Sequence, residues 1–152
     1  MEKPIKPGKR RHGRELAVQF LYQYDLAGGG PLDEAIAMFW QTQTDLTDAV
    51  REFAADLIKG CVAQRETIDE KLRKYTEHWE LPRMAAVDRN ILRLAIYEMT
   101  CRDDIPPVVS INEAVEIAKR FSTRESGSFV NGILDRLRTD LPRPARTAGP
   151  KS

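Results

Sequence analysis

The sequence predicts an all-α protein, a single compact domain of about seven helices. Three observations lead there. Apolar residues recur at helical spacing in segment after segment. The β-like stretches, such as Pro107–Ser110, are too brief to build a sheet. No internal repeat appears that would signal a solenoid.

Each element has its own signal. Leu16, Ala17, Phe20, Leu21 and Tyr24 share one face of a first helix, which the Gly28-Gly29-Gly30 run ends. Pro31 suits the first turn of a second helix carrying Ile36, Phe39 and Trp40. Val50, Phe53, Ala54, Leu57, Ile58, Cys61 and Val62 form an unbroken stripe on a third. Thr67 and Glu70 read as a capping box opening a fourth, with Ile68, Leu72 and Tyr75 facing inward. Beyond the break at Pro82, residues 87–101 are apolar around much of their circumference, which predicts a central helix packed on several sides. Pro106-Pro107 forces a turn, and Ser110 with Glu113 reads as a second capping box. The helix behind it buries Ile111, Ala114, Val115, Ala118 and Phe121. A last helix carries Phe129, Val130, Ile133, Leu134 and Leu137, with Gly132 offering a neighbour close approach.

Composition bounds the class. At 152 residues, 41% hydrophobic and 31% charged, the chain can bury roughly two thirds of its unfolded surface and is no disordered polymer. It has no 18-residue apolar run and no apolar core for a signal peptide after the charged N-terminus, so the expected compartment is the cytoplasm, with no membrane partner. Cys61 and Cys101 are too few and too far apart for a disulfide framework or a zinc site. The net charge of +1 hides an asymmetry: residues 1–14 carry +5, residues 141–152 carry +3, and the body between carries −7. That pattern suggests two kinds of partner, one of them polyanionic. Residues 1–8 and 142–152 lack an apolar face and read as a flexible basic extension and tail around a domain at 9–141.

The side-chain inventory argues against an enzyme, a cofactor or a metal site. His12 lies inside the basic arm and His78 beside Trp79 in a connection, neither placed as a buried general base. Cys61 falls on a core stripe, and Cys101, beside Arg102 at a helix end, has no histidine to activate it. Asp103-Asp104 reads as a solvated turn. The glycine run follows a helix rather than a strand, so it is no phosphate loop. The basic arm is the stronger signal. Lys9, Arg10, Arg11 and Arg14, with His12 among them, sit just before the first helix, and arginine forks suit the phosphates and bases of single-stranded RNA. Exposed aromatics beside such a groove stack bases. Tyr24 continues the core stripe, whereas Tyr22, about 160° around the helix from it, is less committed to the core.

Four segments in order resemble the NusB family of bacterial transcription antitermination factors. They are RHGRELAVQFLY at 11–22, VDRNILRLAIYE at 87–98, IPPVVSINEAVEIAK at 105–119 and SFVNGILD at 128–135. The resemblance spans residues from about 10 to 138, and it implies seven helices in two small bundles and a non-catalytic role. It further implies that the chain pairs with the ribosomal small-subunit protein NusE and grips the boxA element of nascent RNA. That complex would join other Nus factors on RNA polymerase, notably in ribosomal RNA operons. Carried over residue by residue, Arg10, Arg11 and Arg14 contact RNA phosphates and bases. Tyr22, Phe129 and, more loosely, Tyr75 match the family's RNA-facing aromatics, while Asp88 and Glu125 match its acidic partner-binding positions. An acidic surface facing a basic ribosomal protein agrees with the −7 body. The arm departs from the family in its His12-Gly13 interruption, and Trp79 is particular to this chain.

Two other readings stand beside this one. The first is a protein–protein adaptor or homodimer that touches RNA only through its partner. The second is the RNA-recognition domain of an rRNA cytosine methyltransferase, which needs a catalytic domain downstream. No cofactor-binding strand and glycine loop appears through Ser152.

Overall fold

The computed structural model describes residues 7–76 and 81–141. These residues form seven α-helices and one 3-10 turn, with no strand among them. The helices are α1 (Pro7–Leu26), α2 (Leu32–Gln41), α3 (Asp48–Ala63), α4 (Arg65–Arg73), α5 (Ala86–Cys101), α6 (Pro107–Phe121) and α7 (Arg124–Asp140). The 3-10 turn is Leu81–Arg83. The chain divides into two compact units, one ending at Ala63 and the other beginning at Gln64. No helix among the described residues is long and apolar enough to cross a membrane.

In the first unit α1 packs on α3 and, near its end, on α2. The expected stripe of Leu16, Ala17, Phe20 and Leu21 is buried, as are Ile36 and Phe39 of α2 and Val50, Phe53, Ala54, Leu57, Ile58 and Cys61 of α3. Phe20 meets Phe39 edge to face, with centroids 5.6 Å apart and an interplanar angle of 78°, a favoured arrangement of ring quadrupoles. The glycine run ends α1 as expected, by a double carbonyl cap. Gly29 N–H reaches the Tyr24 carbonyl at 3.0 Å and Gly28 N–H the Asp25 carbonyl at 3.1 Å. Gly28 takes φ +83°, the left-handed conformation this cap requires.

In the second unit α5 is the hub, packed against α4, α6 and α7, while α6 and α7 also pack on each other. It is buried around its circumference, from Asp88 through Ile96, and again at Glu98 and Met99. This central position was expected from its apolar residues, yet the helix also sinks charged ones. Arg93 makes a two-point pair with Asp69 of α4, Nε to Oδ1 at 2.8 Å and Nη2 to Oδ2 at 3.0 Å. Arg89 donates to the Leu81 and Met84 carbonyls at 2.8 and 3.1 Å, holding the 3-10 turn against the helix. Glu98, 1% exposed, accepts from Ser110 Oγ at 2.9 Å. Buried charges are tolerable only when partnered in this way.

Several local expectations are corrected. Neither capping box forms. Helix α4 already begins at Arg65, and Gln64 at its cap makes no side-chain cap hydrogen bond. Helix α6 begins at Pro107, where the proline ring suits the first turn, so Ser110 lies inside the helix and serves Glu98 instead. Helix α7 starts at Arg124, five residues before the first apolar residue of its stripe, Phe129, because Thr123 caps it by accepting from the Ser126 N–H at 3.0 Å. Pro31 stands at the cap of α2 rather than inside it. Gly132 is exposed and faces open space, so no neighbour approaches it. The close approaches occur at Gly13 and Gly127, where an added Cβ would lie 2.7 Å from the Phe53 ring and 2.9 Å from Lys119 Cγ. Pro7 and Gly8, assigned above to the flexible extension, are the first residues of α1. Residues 1–6, His78, Trp79 and the tail at 142–152 lie outside the described residues.

Candidate nucleic-acid interface

The basic residues expected to precede a helix are themselves helical. Lys9, Arg10, Arg11, His12 and Arg14 form the first two turns of α1, with no acidic residue in the first turn. This placement is electrostatically unfavourable for the isolated helix, since its N-terminus carries about half a positive elementary charge and favours anions. Cations gathered at the positive end of a helix attract a polyanion.

The three arginines are placed differently. Arg11 is exposed, Arg10 is half-buried, and Arg14 is buried, with 3% of its surface accessible. Arg10 and Arg14 both lie over the Phe53 ring of α3, their guanidinium carbons 5.1 and 5.5 Å from its centroid. Glu15 is buried, and its Oε1 stands 4.0 Å from His12 Nδ1, an ion pair only when the imidazole is protonated. Eleven residues separate Arg11 from Tyr22, three turns plus about 20°, so both lie along one stripe of α1 roughly 16 Å apart. Tyr22 is half-buried. Tyr24, expected in the core, is only half-buried, but it is bound into the unit: it stacks on Phe20 at 5.4 Å and donates its hydroxyl to the Gly30 carbonyl.

The remaining site residues belong to the second unit. Tyr75, just past α4, is half-buried and engaged. Its hydroxyl donates to Asp140 Oδ2 at 2.7 Å, and the Arg136 guanidinium lies 5.3 Å from its ring centre. Burial, followed by the Asp140 carboxylate, pushes the phenol pKa up to about 12, so it remains a neutral donor. Phe129 is half-buried in α7. Asp88 and Glu125 converge on one place, the start of α7. Glu125 is exposed in its first turn. Asp88, in the first turn of α5, is 8% exposed and accepts from the hydroxyl of Ser126, the next residue after Glu125, at 3.1 Å. Ser126 also meets the hydroxyls of Ser122 at 2.8 Å and Thr123 at 3.2 Å. Asp88 Oδ1 is buried and accepts no hydrogen bond among the described residues. Burial raises the pKa of this carboxyl, against the lowering effect of Ser126 and Ser122.

The sequence reading gives Phe53 only as a core residue, and the hydroxyl cluster of Ser122, Thr123 and Ser126 and the Asp140–Arg136 frame of Tyr75 are absent from it. Only Phe53 left a trace there: two arginines four residues apart, with a glycine between, on a helix paired with its stripe. Of the groups set aside as non-catalytic, Cys61 is indeed buried in the core. Asp104 is tied to Arg102 by two 2.9 Å contacts in an exposed turn.

Comparison with known proteins gives a consistent result. The model of the NusB family matches residues 11–139. A transcription antitermination protein NusB from Desulforapulum autotrophicum is 50% identical over 132 residues, covering 86% of this chain and 92% of that one. A NusB from Methylacidiphilum infernorum is 48% identical over 136 residues, 90% of this chain and 94% of its own. Among solved structures, T. maritima NusB superimposes with a TM-score of 0.78 at 37% identity, covering 92% of this chain and 94% of that one. A chain from a complex of antitermination factors NusB and NusE with double-stranded RNA gives 0.77 at 26% identity, covering 90% and 100%.

Proposed function

This chain belongs to the NusB family of transcription antitermination proteins, and from that premise we propose that it works by gripping boxA-type single-stranded RNA jointly with NusE. The family is not one of enzymes, and neither is the chain. Its setting is the assembly of Nus factors on RNA polymerase during transcription of ribosomal RNA operons, in the cytoplasm. The observation that carries the RNA reading is the cationic start of α1, where Lys9, Arg10 and Arg11 are mounted on a helix whose first turn holds no acidic residue. Phosphates relieve that repulsion and accept arginine forks.

The roles divide by exposure. Arg11 and Arg10 meet phosphate, while buried Arg14 supports the surface from beneath. Tyr22 and Phe129 offer ring faces to bases. Tyr75, its hydroxyl already held by Asp140 and its ring approached by Arg136, is a further RNA-contacting residue of the second unit. Asp88 and Glu125 serve the protein partner. The buried, unmatched Asp88 Oδ1 supports this role, because a donor from a basic protein would satisfy an acceptor that otherwise costs stability.

The Arg10→Ala, Arg11→Ala double variant tests the arm. About four phosphate contacts to single-stranded RNA give a log–log salt slope near −3, and each lost contact removes about 0.7 from it. The variant should bind RNA more weakly, with a slope flattened by about 1.4 and unchanged helicity by circular dichroism. Undiminished affinity with an unchanged slope would remove the arm from the interface.

A further inference from the structure

Phe53 is buried on α3, carries no charge and belongs to the core stripe, yet three positions of α1 close around its ring. Arg10 and Arg14, one helical turn apart, lie 5.1 and 5.5 Å from its centroid, both within the roughly 6 Å reach of a cation–π contact. Between them, Gly13 presents bare backbone. A Cβ there would lie 2.7 Å from Phe53 Cδ2 and 3.6 Å from the Val50 carbonyl. The glycine that interrupts the basic run is therefore what admits the ring against α1.

We infer that Phe53 is a positioning residue for RNA binding, holding the Arg10 guanidinium over its ring in the orientation that meets RNA. This inference rests on the RNA-binding reading above. Arginine loses much rotamer freedom when it pairs with phosphate, and a guanidinium already stacked on an aromatic face has lost part of it beforehand. The negative face of the ring also offsets the repulsion between two guanidinium groups brought to one place. Arg14, almost fully buried, spends its contact on the α1–α3 junction. Arg10 is only half-buried, so the same ring leaves it partly open to solvent.

The test is a double-mutant cycle on the full chain with NusE, read by anisotropy of a fluorescein-labelled boxA-type RNA. Phe53→Leu keeps an apolar side chain of similar volume and removes the aromatic face. It should weaken binding about threefold in the wild-type background and cause no further loss in the Arg10→Ala background. Phe53→Tyr, which restores the ring, should recover the wild-type affinity. Unchanged affinity in Phe53→Leu, or a loss that adds in full to that of Arg10→Ala, overturns the positioning role. Should Phe53→Leu not fold, the wild-type chain still decides the matter by NMR. Ring current should displace the Arg10 δ-methylene protons upfield of those of Arg11, and coincident shifts overturn the inference. A wild-type chain that binds no RNA with NusE present defeats the RNA reading itself, and is told apart by that.

Discussion

Asp88 holds a carboxylate in surroundings that oppose its charge. Burial raises its pKa above 3.8, and the Ser126 and Ser122 hydroxyls only partly counter this. A raised value means the folded chain binds the Asp88 proton more tightly than the unfolded chain does. The resulting stabilisation is complete below the unfolded pKa and is lost as pH rises through the folded one. At neutral pH the charged group therefore works against folding. Asp88→Asn should melt at a higher temperature than wild type at pH 7, with the gap closing as pH falls through the raised pKa. A wild-type midpoint equal to or above that of the variant at pH 7 would contradict this. At this scale the sequence shows which residues carry charge, but not which of the charged ones are buried. Arg10, Arg11 and Arg14 look alike in a basic run, and only the placement of α3 separates a surface guanidinium from a sunken one. The charged residues of α5 escaped for the same reason: nothing local announces that Asp69 stands opposite Arg93.

At the scale of elements, the helical stripes were readable because a period of 3.6 residues survives any tertiary context. The caps were less so. Ser110 and Glu113 have the spacing of a capping box, but Pro106-Pro107 had already set the helix start, and a pattern of two side chains cannot register that. Glycines expose the same difference. Gly28→Ala meets no atom within 4 Å, so its cost is the left-handed backbone alone, about 1 kcal/mol. Gly13→Ala gains about 1 kcal/mol of helix propensity, but must displace the Phe53 ring, for a net loss of about 1–2 kcal/mol. Gly132→Ala, in an open helix interior, should stabilise by up to about 1 kcal/mol. Urea denaturation of the three variants checks both the signs and the order. A stabilised Gly13→Ala would mean that the ring does not abut α1.

For the whole molecule, the fold class and the two small bundles were legible, since seven stripes and four ordered family segments constrain the chain from end to end. The division at Ala63 was not, because α3 and α4 follow each other with a single intervening residue, Gln64, and no linker-like composition. The charge asymmetry points in the same direction as the site: cations at the start of α1 in one unit, and Asp88 with Glu125 at the start of α7 in the other. On the proposed roles, a polyanion and a basic protein would be met through different residues, so one partner would strengthen the hold on the other without competing for side chains. The most direct test is an anisotropy titration of boxA-type RNA, a scrambled strand and an RNA duplex, each with the chain alone and with NusE. Joint recognition predicts that NusE tightens binding to the boxA-type single strand above both controls. Equal, weak binding to all three RNAs, with and without NusE, would contradict it and reduce the start of α1 to a generic basic surface.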